Sequence, residues 1–151
     1  MRRGRMAAAA EFLAAALLLL VSPIAALNAQ NAETFRARLS PVPINISMMT
    51  TVAGSGTLTA TLTGKQLTIQ GTFEGLRSPA TTAQVHRGPK AIPGPVIPNL
   101  ELTVTKAAKG TISGTLELTP DQIADLRNAQ WYVQIQSERA PDGNLWGWLL
   151  P

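Results

Sequence analysis

The clearest structural signal of the sequence is the run Thr57-Leu58-Thr59-Ala60-Thr61-Leu62-Thr63, followed by Gly64-Lys65 and by Gln66-Leu67-Thr68-Ile69-Gln70-Gly71-Thr72-Phe73. In the first run apolar residues alternate with four threonines, which is typical of an antiparallel strand with one buried and one exposed face. Gly64-Lys65 predicts a two-residue type II′ turn, because glycine stands first. The second run keeps the alternation, so the whole stretch predicts a β-hairpin.

The same alternation recurs on both sides of this hairpin, at Phe35 to Leu39, Leu100 to Val104 and Ile112 to Leu118. Each run is bounded by turn-forming residues, and the spacing between runs is short and regular. This arrangement predicts an all-β, antiparallel domain, either a sandwich or a barrel. Arg87 to Pro98 contains four prolines and two glycines, which predicts a loop or a broken sheet edge.

One short helix interrupts the strands. Thr119-Pro120-Asp121-Gln122 combines a capping residue, a proline at the first helical position and a glutamine at the capping-box position. Ile123 and Leu126 give the following residues one apolar edge. The sequence therefore predicts a helix from Pro120 to Asn128.

The N-terminal 29 residues predict a secretory signal peptide. Arg2, Arg3 and Arg5 precede the apolar stretch from Phe12 to Ala26, and Leu27-Asn28-Ala29 places a small residue at the cleavage position. The alternative is an uncleaved membrane anchor, for which the apolar stretch is short. We expect a mature protein of one domain, residues 30–151.

The charge and the cysteine content of the sequence exclude some partners and some covalent modifications. The sequence contains 13 Lys and Arg, nine Asp and Glu, and one His, and removal of the signal leaves ten basic and eight acidic residues, a net charge of +2. This balance predicts no nucleic-acid partner. The absence of cysteine excludes disulfides and an N-terminal lipid-modified cysteine. We expect a secreted or periplasmic protein with no stable membrane anchor after signal removal.

Two blocks resemble a known family. Tyr132-Val133-Gln134-Ile135-Gln136-Ser137, followed by Pro141-Asp142-Gly143-Asn144-Leu145-Trp146-Gly147, is similar to the end of a CHRD (chordin-type) domain, and Ala83-Gln84-Val85-His86-Arg87-Gly88 is similar to that family's other landmark. The resemblance covers nearly all of the mature chain, and the arginine-led, alanine-rich leader points to a bacterial exported form. The resemblance implies an immunoglobulin-like or barrel-like domain without an assigned enzymatic activity.

The resemblance also directs attention to four polar residues, Gln84, His86, Gln134 and Gln136, which stand where the family has its histidine-containing motifs. Alternation places each pair on one face of its strand, so the four side chains converge if the two strands are neighbours. Several imidazoles in this geometry would suit copper or zinc, but only His86 supplies one here. Our main interpretation is a hydrogen-bonded polar cluster, and the alternative is a metal site centred on His86.

The resemblance implies an acidic and a basic residue at positions 144 and 146, where this sequence has Asn144 and Trp146. Trp148 follows two residues later, and alternation puts Trp146 and Trp148 on one face. Tryptophan buries a large apolar area, so one interpretation is that the pair covers the core beneath the proline-rich segment. The other is an exposed aromatic platform for a glycan or another partner.

Patterns typical of enzymes are missing from the sequence. It has no cysteine nucleophile, no serine-centred motif and no glycine-rich phosphate loop, and its acidic residues are scattered. We therefore expect no catalysis and no cofactor. The sequence favours an exported, non-catalytic binding or structural module whose partner is an unknown protein or glycan; the alternative is a copper- or zinc-binding, possibly redox-active domain centred on His86.

Overall fold

The structure is a computed structural model, and it describes residues 31–151. The predicted signal peptide, residues 1–29, lies outside the described residues. No helix among residues 31–151 has the length and apolar character needed to cross a membrane. The elements are β1 (Glu33–Pro41), a 3-10 helix (Ile46–Met48), β2 (Ser55–Thr63), β3 (Gln66–Glu74), β4 (Ala80–Arg87), β5 (Val96–Val104), β6 (Gly110–Glu117), α1 (Pro120–Arg127), β7 (Trp131–Ser137) and β8 (Ala140–Trp148).

The eight strands form a closed barrel in the order β1-β2-β3-β6-β5-β4-β7-β8, and all neighbours are antiparallel. Closure depends on β1, which pairs with β2 from Glu33 to Leu39 and then with β8 at Ser40 and Pro41. The prediction of an all-β antiparallel fold with one short helix is confirmed. Of the two predicted architectures the structure adopts the barrel and not the immunoglobulin-like sandwich, because β1 joins the two sheet edges.

The predicted hairpin is confirmed as β2 and β3. Thr63 is opposite Gln66, so only Gly64 and Lys65 form the turn. Gly64 has a φ of 62°, which is the left-handed value that the first position of a type II′ turn requires. The apolar side chains of both strands, such as Leu62 and Leu67, are buried in the main core, whereas most of the threonines face solvent.

The predicted helix is confirmed within one residue of its expected end. Thr119 accepts a hydrogen bond from the Gln122 backbone N–H, and Gln122 Oε1 accepts one from the Thr119 backbone N–H, which together form a capping box. Asn128 is the C-terminal cap. Leu126 is fully buried and anchors the helix to the main core.

The proline-rich segment forms both a loop and a broken edge. Residues 88–95, called here the proline-rich loop, connect β4 to β5. Pro98 lies inside β5, where Asn99 has a left-handed φ of 62° and the register with β4 is irregular between Gln84 and His86. β5 reaches β6 only through Thr103 and Val104. Prolines lack an N–H donor, which explains this incomplete pairing.

Because neighbouring strands run in opposite directions, each connection lies at one of the two ends of the barrel. One end, called here the first end, carries the connections 42–54, 75–79, 105–109 and 138–139. The second end carries the turn 64–65, the proline-rich loop and α1. The chain enters β1 at the second end.

Candidate functional site

A second apolar cluster lies outside the barrel. The alternating residues of β7 divide between two environments, because Val133 and Ile135 belong to the main core whereas Tyr132 packs with Trp146 and Trp148 in a separate cluster. We call the outward-facing residues of β4, β7 and β8 the outer layer; its members are Gln84, His86, Tyr132, Gln134, Gln136, Trp146 and Trp148. All except Gln84 are buried.

β4 and β7 are neighbours, so the two polar pairs identified in the sequence share one surface. Gln84 lies opposite Gln134, and His86 lies opposite Tyr132. Thr82 lies opposite Gln136 one step further along. The register therefore brings all four polar side chains to adjacent positions on the outer layer, and it adds a tyrosine and a threonine to them.

The hydrogen bonds divide these polar side chains into separate groups. Gln136 Nε2 donates to Gln84 Oε1 at 3.2 Å, and Gln136 Oε1 accepts from Thr82 Oγ1 at 2.6 Å. Gln134 Nε2 donates instead to the Asp142 carbonyl at 3.0 Å. Only Gln84, Gln136 and Thr82 thus form a continuous network, whereas Gln134 is bonded to the first part of β8.

His86 is held by the proline-rich loop. Its Nδ1 is 3.0 Å from the Gly94 carbonyl oxygen, and because a carbonyl only accepts, Nδ1 carries the proton. Nε2 is then an acceptor, and it is buried without a hydrogen-bond partner among residues 31–151. The imidazole is 7 % exposed, so loop and barrel together shield it from solvent.

Four rings form a continuous stack on the outer layer. The His86 and Tyr132 centroids are 4.9 Å apart with planes 22° apart, and those of Tyr132 and Trp148 are 4.5 Å apart with planes 30° apart. Trp146 meets both Tyr132 and Trp148 edge-on, at 5.8 Å and 4.7 Å. These are the separations at which aromatic pairs add stability beyond the area they bury.

The proline-rich loop lies over this stack. Trp148 Nε1 donates to the Gly88 carbonyl at 2.9 Å, and the Gly94 N–H donates to the Tyr132 hydroxyl at 2.9 Å. Trp146 and Trp148 are 9 % and 8 % exposed. The structure therefore places Trp148 beneath the loop, whereas Val42 and Leu150 pack against the cluster that contains both tryptophans. The pair lies outside the main core, and little of either ring reaches solvent.

The same geometry limits what metal chemistry the outer layer can perform. Within residues 31–151, no three His, Cys, Asp or Glu side chains lie close enough together to hold a metal ion. The Gln84 and Gln136 oxygens already accept hydrogen bonds. His86 Nε2 is the one atom of the four predicted side chains with an unused lone pair suited to copper or zinc.

Two ion pairs tie α1 to the barrel at the second end. Arg87 Nε lies 2.7 Å from Asp125 Oδ2, and Arg127 binds the Glu33 carboxylate through two nitrogens. The hydrogen bond and charge of Arg127 lower the pKa of Glu33, and the carboxylate raises the pKa of Arg127. Both pairs are solvent-exposed, so each contributes little to the free energy of unfolding, and their main effect is to fix the position of the helix on the barrel.

Sequence reasoning did not single out Tyr132 or Thr82. The available signal for Tyr132 was the alternation itself, since Tyr132 precedes Gln134 by two residues and therefore shares its face. The contribution of the Gly88 and Gly94 carbonyls could not be anticipated, because it depends on how the proline-rich loop folds back over β7 and β8.

Comparison with known proteins gives one result. The family model for the CHRD domain matches residues 35–149, a segment that extends from β1 through the end of β8. The match includes every residue of the outer layer. Neither the curated proteins nor the solved structures contained a match. The family model covers most of the chain, and the protein therefore belongs to the CHRD domain family.

Proposed function

We propose that the protein is an exported CHRD module that acts without catalysis, by binding another macromolecule or as a structural part. The observation that supports this most is how the outer layer uses its side chains. His86 Nδ1, the Tyr132 hydroxyl and Trp148 Nε1 are hydrogen-bonded to the proline-rich loop, and Gln84 and Gln136 are bonded to each other. His86, Tyr132 and Trp148 therefore hold the loop on the barrel, and Gln84 and Gln136 join β4 to β7.

The burial of His86 argues against acid–base catalysis. A general acid or base must come within hydrogen-bonding distance of its substrate. His86 is the only histidine of the sequence, and it is 7 % exposed beneath the loop. Catalysis by this residue would require the loop to leave the barrel.

The outward face of β2, β3 and β6 offers the surface for a partner. Thr61, Thr68 and Thr115 lie opposite one another across the three strands, and Thr57, Thr72 and Thr111 form a second row. Neighbouring strands are about 4.8 Å apart, so methyl and hydroxyl groups alternate closely over these two rows, whose residues carry no charge. Arg38 of β1, opposite Thr57, and Glu74 at the end of β3 border the patch. Of the two expected partners, a neutral glycan fits this face better than a protein. The glycan hydroxyls and the threonine hydroxyls can exchange hydrogen bonds without desolvating a charge.

Affinity electrophoresis in gels containing neutral polysaccharides tests the binding proposal. We expect at least one polysaccharide to retard the protein, and we expect Thr72→Lys to abolish the retardation because it places a charge in the middle of the face. Thr50→Lys, an exposed threonine in the connection 42–54, is the matched control and should migrate like the wild type. If Thr72→Lys is retarded as strongly as the wild type, the glycan binds elsewhere on the protein. If the wild type instead binds a protein partner and Thr72→Lys does not, that protein and not a glycan is the partner of this face.

A metal-binding, possibly redox-active function is the second candidate. The observation in its favour is His86 Nε2, a buried imidazole nitrogen without a partner within residues 31–151, whose ring is oriented by a hydrogen bond from Nδ1 to a carbonyl. Metal analysis of the purified protein separates the two candidates. Stoichiometric copper or zinc that is lost in His86→Ala would favour the metal function over the non-catalytic module.

Export is the remaining part of the proposal, and it rests on the apolar leader followed by a small residue at Ala29. N-terminal sequencing of the protein recovered outside the cytoplasm should place the mature start within about four residues of Gln30. A membrane-bound product that still begins at Met1 or Met6 would identify the leader as an anchor.

A further inference from the structure

Three large apolar side chains project from one connection at the first end of the barrel. Ile44, Ile46 and Met49 are 48 %, 89 % and 58 % exposed. Single apolar residues on a surface are ordinary, but three within six positions form a patch that water solvates poorly. Such a patch is a common feature of surfaces that contact another apolar phase.

The connection that carries these side chains is fixed at both of its ends. Its start is bonded through the Val42 N–H to the Asn144 carbonyl at 3.0 Å, and its end through the Ala53 N–H to Asn144 Oδ1 at 3.2 Å. Val52 is buried beside this anchor. Ile46 is therefore held out from the barrel by an ordered backbone, and its exposure is part of the fold.

A short capped helix shapes the tip of this connection. Asn45 Oδ1 accepts hydrogen bonds from the Met48 N–H at 3.2 Å and from the Ser47 hydroxyl at 2.6 Å. This cap turns the chain immediately before Ile46, the first residue of the 3-10 helix. Ile44 and Met49 flank the turn, so the apolar side chains surround a compact tip.

Basic side chains accompany the apolar tip at the first end. The other connections there contribute four exposed basic residues, Arg77, Lys106, Lys109 and Arg139, against one acidic residue, Glu138. Glu74 and Asp142 at the strand ends reduce the excess to one positive charge. The connections are joined, since the Leu76 N–H donates to the Ala108 carbonyl and the Arg139 N–H to Ser78 Oγ. Both ion pairs within residues 31–151 lie at the second end, so none of these four side chains is paired with a carboxylate. The Lys106 ammonium donates to the Thr81 carbonyl, which leaves Arg77, Lys109 and Arg139 available to a partner.

We propose that the first end of the barrel binds reversibly to a lipid bilayer that contains anionic headgroups. Ile44, Ile46 and Met49 enter the boundary between headgroups and acyl chains, while the surrounding Lys and Arg side chains attract the lipid phosphates. The acidic side chains on the rim keep the attraction moderate, which suits a surface contact and not an anchor. This contact is independent of the glycan-binding face and goes beyond the proposed function.

Sedimentation with sucrose-loaded vesicles tests the proposal on the exported form of the protein. We expect binding to phosphatidylcholine vesicles that contain about 30 mol % phosphatidylglycerol, and much weaker binding to phosphatidylcholine alone. Ile46→Asp should weaken binding by at least about tenfold, because it replaces the most exposed apolar side chain by a charge. Lys109→Gln should weaken it about fivefold.

The second end supplies matched controls. Ile92 is 56 % exposed in the proline-rich loop, and Lys90 lies near it in the same loop. Ile92→Asp and Lys90→Gln should bind vesicles like the wild type, because the second end faces away from the bilayer. Circular dichroism should show that all four variants remain folded.

Three outcomes would overturn the proposal. The first is a wild-type protein that does not sediment with either kind of vesicle. The second is that Ile46→Asp and Ile92→Asp reduce vesicle binding equally, which would mean that the protein contacts the bilayer in no preferred orientation. The third is a wild-type dimer that binds no vesicles and becomes monomeric in Ile46→Asp, which would assign the tip to a second copy of the chain.

Discussion

His86 and Tyr132 face each other across the paired strands β4 and β7, with ring centroids 4.9 Å apart, and both bind Gly94 of the proline-rich loop. The Tyr132 hydroxyl also donates to the Gly94 carbonyl at 3.0 Å. One loop residue thus connects the only histidine to the aromatic stack. The two rings hold the loop in place, and the loop in turn keeps them buried.

A pair of substitutions at His86 separates its hydrogen bond from its ring. His86→Ala removes both, so we expect a loss of about 1–3 kcal/mol in the free energy of unfolding. His86→Asn keeps a donor for the Gly94 carbonyl, so about half of that loss should be recovered. Urea unfolding of both variants measures the difference. Equal stability of His86→Ala and the wild type would mean that the loop does not depend on this residue.

Trp148 is expected to stabilise the loop through the hydrogen bond of its indole N–H and through the apolar area that its ring buries. Trp148→Ala should cost about 3–5 kcal/mol, and Trp148→Phe about 1–2 kcal/mol, since phenylalanine keeps much of the packing but leaves the Gly88 carbonyl without its donor. Ile92→Ala, an exposed residue of the same loop, should change stability by less than about 0.5 kcal/mol. Wild-type tryptophan emission should be blue-shifted and poorly quenched by acrylamide. Emission close to that of free indole would contradict the observed burial.

The parts of the fold that the sequence predicted are those with local signals. The hairpin follows from alternation and from glycine at position 64, and the helix follows from the capping box that begins at Thr119. Barrel closure has no such signal. It depends on β1 changing partners at Ser40 and on β3 pairing with β6 rather than with the next strand in the chain.

The candidate site was predictable only in part, for the same reason. Alternation places Gln84 with His86, and Gln134 with Gln136, whatever the topology is. Whether these pairs meet depends on strand order, and what covers them depends on the path of the proline-rich loop. Gln134 illustrates the limit, since it lies opposite Gln84 but donates to the Asp142 carbonyl.

The ion pair between Glu33 and Arg127 predicts a pH-dependent contribution to stability. Because its hydrogen bond with Arg127 lowers the pKa of Glu33, the stabilisation is present above the ordinary carboxyl pKa and is lost as the pH falls through the lower, folded value. Glu33→Gln should therefore melt slightly below the wild type at pH 7, and the two should converge as the pH falls below the lowered pKa of Glu33 and the carboxylate takes up its proton. Melting temperatures at several pH values check this. Added salt should also shrink the difference at pH 7, because the pair is exposed.

Two glycines in the barrel wall offer a test of how tightly the β2–β3–β6 sheet packs. A methyl group on Gly71 would overlap the Thr57 carbonyl oxygen and the Leu58 side chain, and Leu58 lies directly opposite Gly71 in β2. Backbone atoms cannot move aside without distorting the ladder, so Gly71→Ala should destabilise the protein by about 1–3 kcal/mol.

Gly114 is the matched position in β6. There a methyl group would lie 2.6 Å from Leu102 Cδ2, the flexible end of a side chain that can rotate away. Alanine also restricts the unfolded chain more than glycine does, which offsets part of the crowding. We therefore expect Gly114→Ala to cost less than about 1 kcal/mol in urea unfolding. If Gly114→Ala proved as destabilising as Gly71→Ala, side-chain crowding and not the backbone contact with Thr57 would be limiting in this sheet.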